Sequence, residues 1–182
     1  HQDQCQSNRL RKSVFSALRG YINPLDPHVE PAEATGAQPE SEVVDVSTIE
    51  MAVVGSGGFA DALASKLGTA IQAFDSPLPT GLDGVVVVFD EPTETVFADV
   101  DEPLCRRLAP EPVRRTMSAL RSAWSALRAS GGRIVVVLPT LGLPGSAHLV
   151  PYTPAVEGIR AMTKSAARQW SGHGVTANMV AV

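Results

Sequence analysis

Cysteine is nearly absent from this 182-residue chain, which has only Cys5 and Cys105. Two thiols cannot build a disulfide framework, and no pair or triplet of residues has metal-ligand spacing, so a stapled fold is excluded and no metal centre is expected. Long hydrophobic runs are also missing. The longest strictly apolar stretches are Val85 to Phe89 and Ile134 to Leu138, far short of the roughly 20 residues that span a bilayer. A basic excess is absent too: 15 Lys+Arg against 19 Asp+Glu give a net charge of −4 and a pI near 5.5. Nucleic acid is therefore not an expected partner, because phosphate recognition needs a basic face. The chain does have 44% apolar and 19% charged residues, enough to bury a core and too apolar for disorder. A soluble, cytoplasmic protein is expected. The first residue is His1, so a processed or cut start is expected, and the polar run Gln2 to Arg11 fits no signal peptide.

Three regions differ in character. Residues 1–22 hold a short amphipathic helix, with Leu10, Val14, Leu18 and Tyr21 on one stripe and Arg9, Arg11, Lys12 and Arg19 off it. Residues 23–50 contain no Lys or Arg but seven acids, and Pro24, Pro27, Pro31 and Pro39 break any regular element. That composition reads as an acidic, proline-rich linker. From residue 51 to 182 strands and helices alternate. Strands are expected at Met51–Val54, Ala70–Phe74, Gly84–Phe89, Arg133–Leu138 and Val175–Val182. Helices are expected at Phe59–Leu67, over 112–129 (opened by Pro110-Glu111-Pro112 and stopped by Gly131-Gly132), and at Ala155–Trp170. Met117, Leu120, Trp124 and Leu127 form the apolar stripe of the middle helix. Arg107, Arg114, Arg121 and Arg128 repeat every seven residues on another side. That row reads first as a solvated face, and second as a surface for an acidic carrier protein or for the acidic linker Glu30 to Glu50 of another copy. Val-rich strands with no polar face belong to a parallel sheet covered on both sides. The fold expected is a doubly wound, five-stranded parallel α/β sheet, Rossmann- or flavodoxin-like, in the order 2-1-3-4-5.

The first strand runs into Gly55-Ser-Gly-Gly-Phe-Ala60 and then directly into a helix. This fits G-x-G-x-x-G/A in its required strand–turn–helix context. Gly55 would make the tight turn, Gly57 would let the backbone approach a pyrophosphate, and Ala60 would let the helix pack close. The helix start supplies unpaired N–H groups and a positive dipole end. Asp75, twenty residues after Gly55, would accept hydrogen bonds from a ribose 2′-OH and disfavour a 2′-phosphate, so NADH is expected to bind better than NADPH.

The last third carries a family pattern. Gly131-Gly-Arg-Ile-Val-Val-Val-Leu-Pro-Thr140, then Tyr152-Thr-Pro-Ala-Val-Glu-Gly-Ile-Arg-Ala-Met-Thr-Lys-Ser-Ala-Ala167, then His173-Gly-Val-Thr-Ala-Asn-Met-Val-Ala181 together resemble short-chain dehydrogenases/reductases of the ketoacyl-reductase branch. There the segments read roughly G-R-I-V-N-I-S-S, Y-x-A-S-K-A-A-V-x-G-L-T-K-S-L-A and G-I-T-V-N-A-V-A-P. The resemblance covers about residues 51 to 182. It implies a Rossmann-type fold, NAD or NADP as cofactor, and Tyr152 as the proton donor to a carbonyl.

The same comparison implies a damaged site. The family Lys falls on Val156 and the family Ser on Pro139, with Thr140 the nearest hydroxyl. The helical Asn has no counterpart, because the only asparagines are Asn8, Asn23 and Asn178. N-N-A-G is replaced by Phe89-Asp-Glu-Pro92, and Phe59 and Asp61 stand where the family has its later glycines. Proton donation by a tyrosine needs a cation that favours the phenolate and a second donor on the carbonyl oxygen. Val156 and Pro139 supply neither. Lys164 lies three turns further along the helix, and His148 and Ser146 lie in the loop before it. The abbreviated strand count is similar to the catalytically silent N-terminal domain of large two-domain ketoacyl reductases, so the end at Val182 reads as a domain boundary or a cut. Two expectations follow: a non-catalytic scaffold or dimerisation module, with weak or absent cofactor binding, or an active reductase rearranged around Tyr152. The partners implied are another reductase domain, in a homo- or hetero-oligomer, and an acyl carrier protein.

Overall fold

The computed structural model describes residues 49–89, 94–140 and 147–182. The sequence-predicted N-terminal helix, nearly all of the acidic linker, Asp90 to Pro92 and Ser146 lie outside the described residues. Ile49 to Val182 form one compact unit. Its elements are β1 (Met51–Val54), α1 (Gly58–Leu67), β2 (Ile71–Gln72), β3 (Gly84–Val88), α2 (Glu102–Leu108), α3 (Pro110–Leu127), β4 (Gly132–Leu138), α4 (Thr153–Trp170) and β5 (Val175–Ala181).

The five strands make one parallel sheet in the order β2-β1-β3-β4-β5. β3 is central and all five of its residues are buried. Its register sets Val85 beside Ala52 and Ile134, and Val86 beside Val53 and Val135. Side chains alternate along a strand, so the sheet has two apolar faces. Ala52, Val54, Val85, Val87, Ile134 and Val136 share one core with α3 and α4. The intervening Val53, Val86, Val88, Val135 and Val137 are equally buried, and α1 packs on β1 and β2 through Ala60, Leu63 and Ala64. Each fully buried Val or Leu contributes about 1.5–3 kcal/mol to this arrangement. Helices thus lie on both faces of the sheet, α1 over β1 and β2 and α3 and α4 on the other side, and the strand order reverses between β1 and β3.

Four expectations from the sequence need correction. β2 is two residues long instead of five, because it is an edge strand that pairs only with Val53 and Val54 of β1. A short helix, α2, precedes α3: Asp101 caps it by accepting from the Leu104 N–H at 2.8 Å, and Pro103 sits in its first turn. The arginine row is therefore divided, with Arg107 on α2 and Arg114 and Arg121 on α3. Finally, the buried stripe of α3 is Thr116, Ala119, Leu120, Ala123 and Leu127. Met117 is 56% exposed. Small residues face the sheet because they allow the helix axis to approach it, and Met117 is rotated off that line.

At the amino ends of the strands, Trp124 of α3 stacks on Trp170 of α4, with ring centroids 5.2 Å apart, and His173 meets Trp124 edge-on at 5.0 Å.

The corrected stripe gives a direct test. Ile159→Ala in α4, which empties a fully buried position, should cost about 2–5 kcal/mol of unfolding free energy, whereas Met117→Ala should stay within about 0.5 kcal/mol. Urea unfolding of both variants decides it, and equal losses would put Met117 back in the core.

Candidate functional site

The open ends of the central strands meet at the switch between β1 and β3, where ligands of open α/β sheets bind. The chain leaves β1 through Gly55, whose N–H donates to the Gln72 carbonyl at 3.2 Å and ties the turn to β2. A Cβ on Gly55 would lie 2.9 Å from the Val88 carbonyl oxygen and 3.0 Å from the Val88 side chain. Glycine is thus required there by the close approach of β3. Gly57 begins α1 at φ +87° with no side-chain cap, and its carbonyl accepts the Asp61 N–H at 3.0 Å. Among the described residues, no atom outside the chain neighbours and the helix's own backbone lies within 4 Å of where a Cβ would stand on Gly57 or Gly58. The first amides of a helix are a donor set suited to an anion. Ala60 is fully buried and lets α1 sit against the turn. These features fit the pyrophosphate of a dinucleotide. Asp61 stands in the same first turn and already meets part of the helix dipole.

Asp75 does not end β2; it sits three residues beyond it, in a turn closed by the Ser76 N–H on the Ala73 carbonyl at 3.1 Å. Its carboxylate is exposed and lies 3.7 Å from Nη2 of Arg114 on α3. Arg114 is itself forked onto Glu111, Nε to Oε2 at 3.1 Å and Nη2 to Oε1 at 2.9 Å. The hydrogen bond from Arg114 holds the Glu111 carboxyl below its usual range, and Glu111 in turn raises Arg114. The neighbouring Arg115 places its guanidinium 5.3 Å over the Phe74 ring. Asp75 and α3 are remote in sequence, and the heptad spacing of the arginines carries no sign of this meeting.

The other half of the site is built differently. Tyr152 stands at the start of α4, is 3% exposed, and packs its ring 5.3 Å from that of Phe89. Its N–H donates to the Leu149 carbonyl, and its own carbonyl accepts from Ala155. Val156, one turn on, is fully buried in the core beside Ala155 and Ile159. Pro139 is half-buried at the end of β4. Thr140 does not offer its hydroxyl to a substrate: Oγ1 donates to the Val182 carbonyl at 3.1 Å, and its N–H donates there at 2.7 Å. His148 is exposed at φ +65°, and its carbonyl accepts from the Thr95 N–H at 2.8 Å. Lys164 is on the exposed side of α4. Among the described residues no group of three His, Cys, Asp or Glu could hold a metal ion, and no helix is long and apolar enough to cross a membrane.

No protein-family model matches the sequence, and no curated protein matches it significantly. Solved structures do match. One from Sinorhizobium meliloti, provisionally described as a short-chain alcohol dehydrogenase, is 23% identical with a TM-score of 0.53 over 72% of this chain and 61% of that one. This chain thus spans under two thirds of that protein's length. The apo structure of a short-chain oxidoreductase from Pseudomonas aeruginosa, described as containing an atypical catalytic centre, is 15% identical with a TM-score of 0.61 over 74% of this chain and 70% of that one. The domain therefore has the Rossmann-like fold of short-chain oxidoreductases.

The Gly55 contact predicts an asymmetry within the glycine turn. Gly55→Ala must displace the β3 backbone and should cost about 1–3 kcal/mol. Gly57→Ala meets only its backbone strain and should cost about 1–2 kcal/mol. Thermal unfolding of the two variants checks the order, and a Gly55→Ala protein as stable as the parent would remove the close-approach argument.

Proposed function

We propose that this domain is a degenerate short-chain-reductase fold that serves ketoacyl reduction, in fatty acid or polyketide synthesis, as a non-catalytic scaffold or dimerisation module in the cytoplasm. The observation that carries this reading is Val156. It is fully buried one helical turn beyond Tyr152, where the resembling family has the ammonium that lowers its tyrosine. Val156 supplies no charge that would favour the Tyr152 phenolate, as that ammonium would. Pro139 adds no donor for a carbonyl oxygen. An oxyanion forming beside Tyr152 would receive no electrostatic stabilisation from Val156 or Pro139.

The nucleotide half is better kept. A nicotinamide dinucleotide would supply the hydride in a working relative; here the Gly55–Gly57 turn and the first N–H groups of α1 would hold its pyrophosphate, and Asp75 its ribose. The partners that fit are a reductase domain in a homo- or hetero-oligomer, and an acyl carrier protein meeting the exposed Arg107, Arg121 and Arg128. The second reading is a reductase rearranged around Tyr152. The atypical catalytic centre of the Pseudomonas structure is the observation in its favour.

Following NADH absorbance with β-ketoacyl thioesters separates the two. The parent and Tyr152→Phe should both show no turnover above background. Val156→Lys should not restore activity and should destabilise the domain by a few kcal/mol, because an ammonium would replace a fully buried side chain. Turnover by the parent that disappears in Tyr152→Phe would establish the rearranged enzyme instead.

A further inference from the structure

Asp75 alone would make the ribose end of the cradle repel a second phosphate. In this chain it is not alone. The link from Ser76 to Asp83 brings β2 to β3 without a crossover helix, and the turn after β2 meets α3. Two carboxylates and two guanidiniums gather there: Asp75 and Glu111, Arg114 and Arg115. Their formal charges cancel. Glu111 fixes the guanidinium of Arg114 by a two-bonded fork, and the contacts to Glu111 and Asp75 use Nε and Nη2. Nη1, with two N–H groups, makes none of them. Arg114 also lines a groove of about 670 Å3 with Glu102, Cys105, Arg106, Pro110 and Glu111, so there is open space beside its guanidinium. Asp75 and Arg114 are both more than half exposed, and a bound phosphate would displace water and no buried contact.

We infer that Arg114 is a specificity-determining residue of the nucleotide cradle: set against Asp75 by Glu111, it balances the two carboxylates together with Arg115 and offers a guanidinium edge, so that the site accepts a 2′-phosphorylated dinucleotide. This rests on the dinucleotide reading of the Gly55–Gly57 turn. It replaces the preference for NADH that Asp75 by itself would set. Guanidinium is the suitable group, since its planar fork can bond a carboxylate on one edge and a phosphate on another.

Calorimetric titration of the whole chain with NADH and with NADPH tests this without any turnover. The parent should bind NADPH at least as well as NADH. Arg114→Ala should weaken NADPH about tenfold, the loss of one charge-assisted phosphate contact, while leaving NADH within about twofold. Arg114→Lys, which keeps the charge and loses the fork, should fall between them. Asp75→Asn, which removes the carboxylate that would hold the 2′-OH of NADH, should shift the ratio further towards NADPH. Cofactor binding that persists with the same NADPH-to-NADH ratio in Arg114→Ala overturns the role of Arg114 and leaves the cradle standing. So does a parent that prefers NADH tenfold or more. No heat from either cofactor in the parent overturns the cradle itself, and this inference with it.

Discussion

Strand β3 is paired on both edges and covered on both faces, and everything else in the domain follows from that enclosure. Its five residues have no access to water, so they can take part in no chemistry except through the strand's ends. The β1 turn must pass close over the Val88 carbonyl, which only a residue without a side chain can do. Burial of an apolar strand and the requirement for glycine at position 55 are two results of one packing constraint.

The same enclosure explains the condition of the other half of the site. Val156 lies in the core that α4 shares with the sheet, and Tyr152, at the head of that helix, turns its ring onto Phe89. One helical turn beyond Tyr152 the hydrophobic core continues through Val156.

The sheet was legible because Val85–Val88 and Ile134–Leu138 are continuous apolar runs, which only a doubly covered strand tolerates. The glycine turn was legible because its spacing and context agree. What escaped was governed by features outside local pattern. α2 is barely two turns long and depends on its Asp101 cap. β2 is cut short by having one neighbour. On α3, counting bulky side chains selects Met117, but helix-to-sheet distance selects Ala119 and Ala123. Asp75 was legible as a candidate, yet its setting was not, since Arg114 and Glu111 reach it only through the fold.

The stack of Trp124 on Trp170 lies at the opposite end of the sheet from the glycine turn, and the chain has no other tryptophan. Its indole emission is therefore a single-address signal. It reads the docking of α3 against α4 and is blind, by distance, to whatever occupies the cradle. A change in that emission on mixing with another polypeptide would locate the encounter on the paired helices, and a nucleotide that left it unchanged would not thereby be shown to be absent.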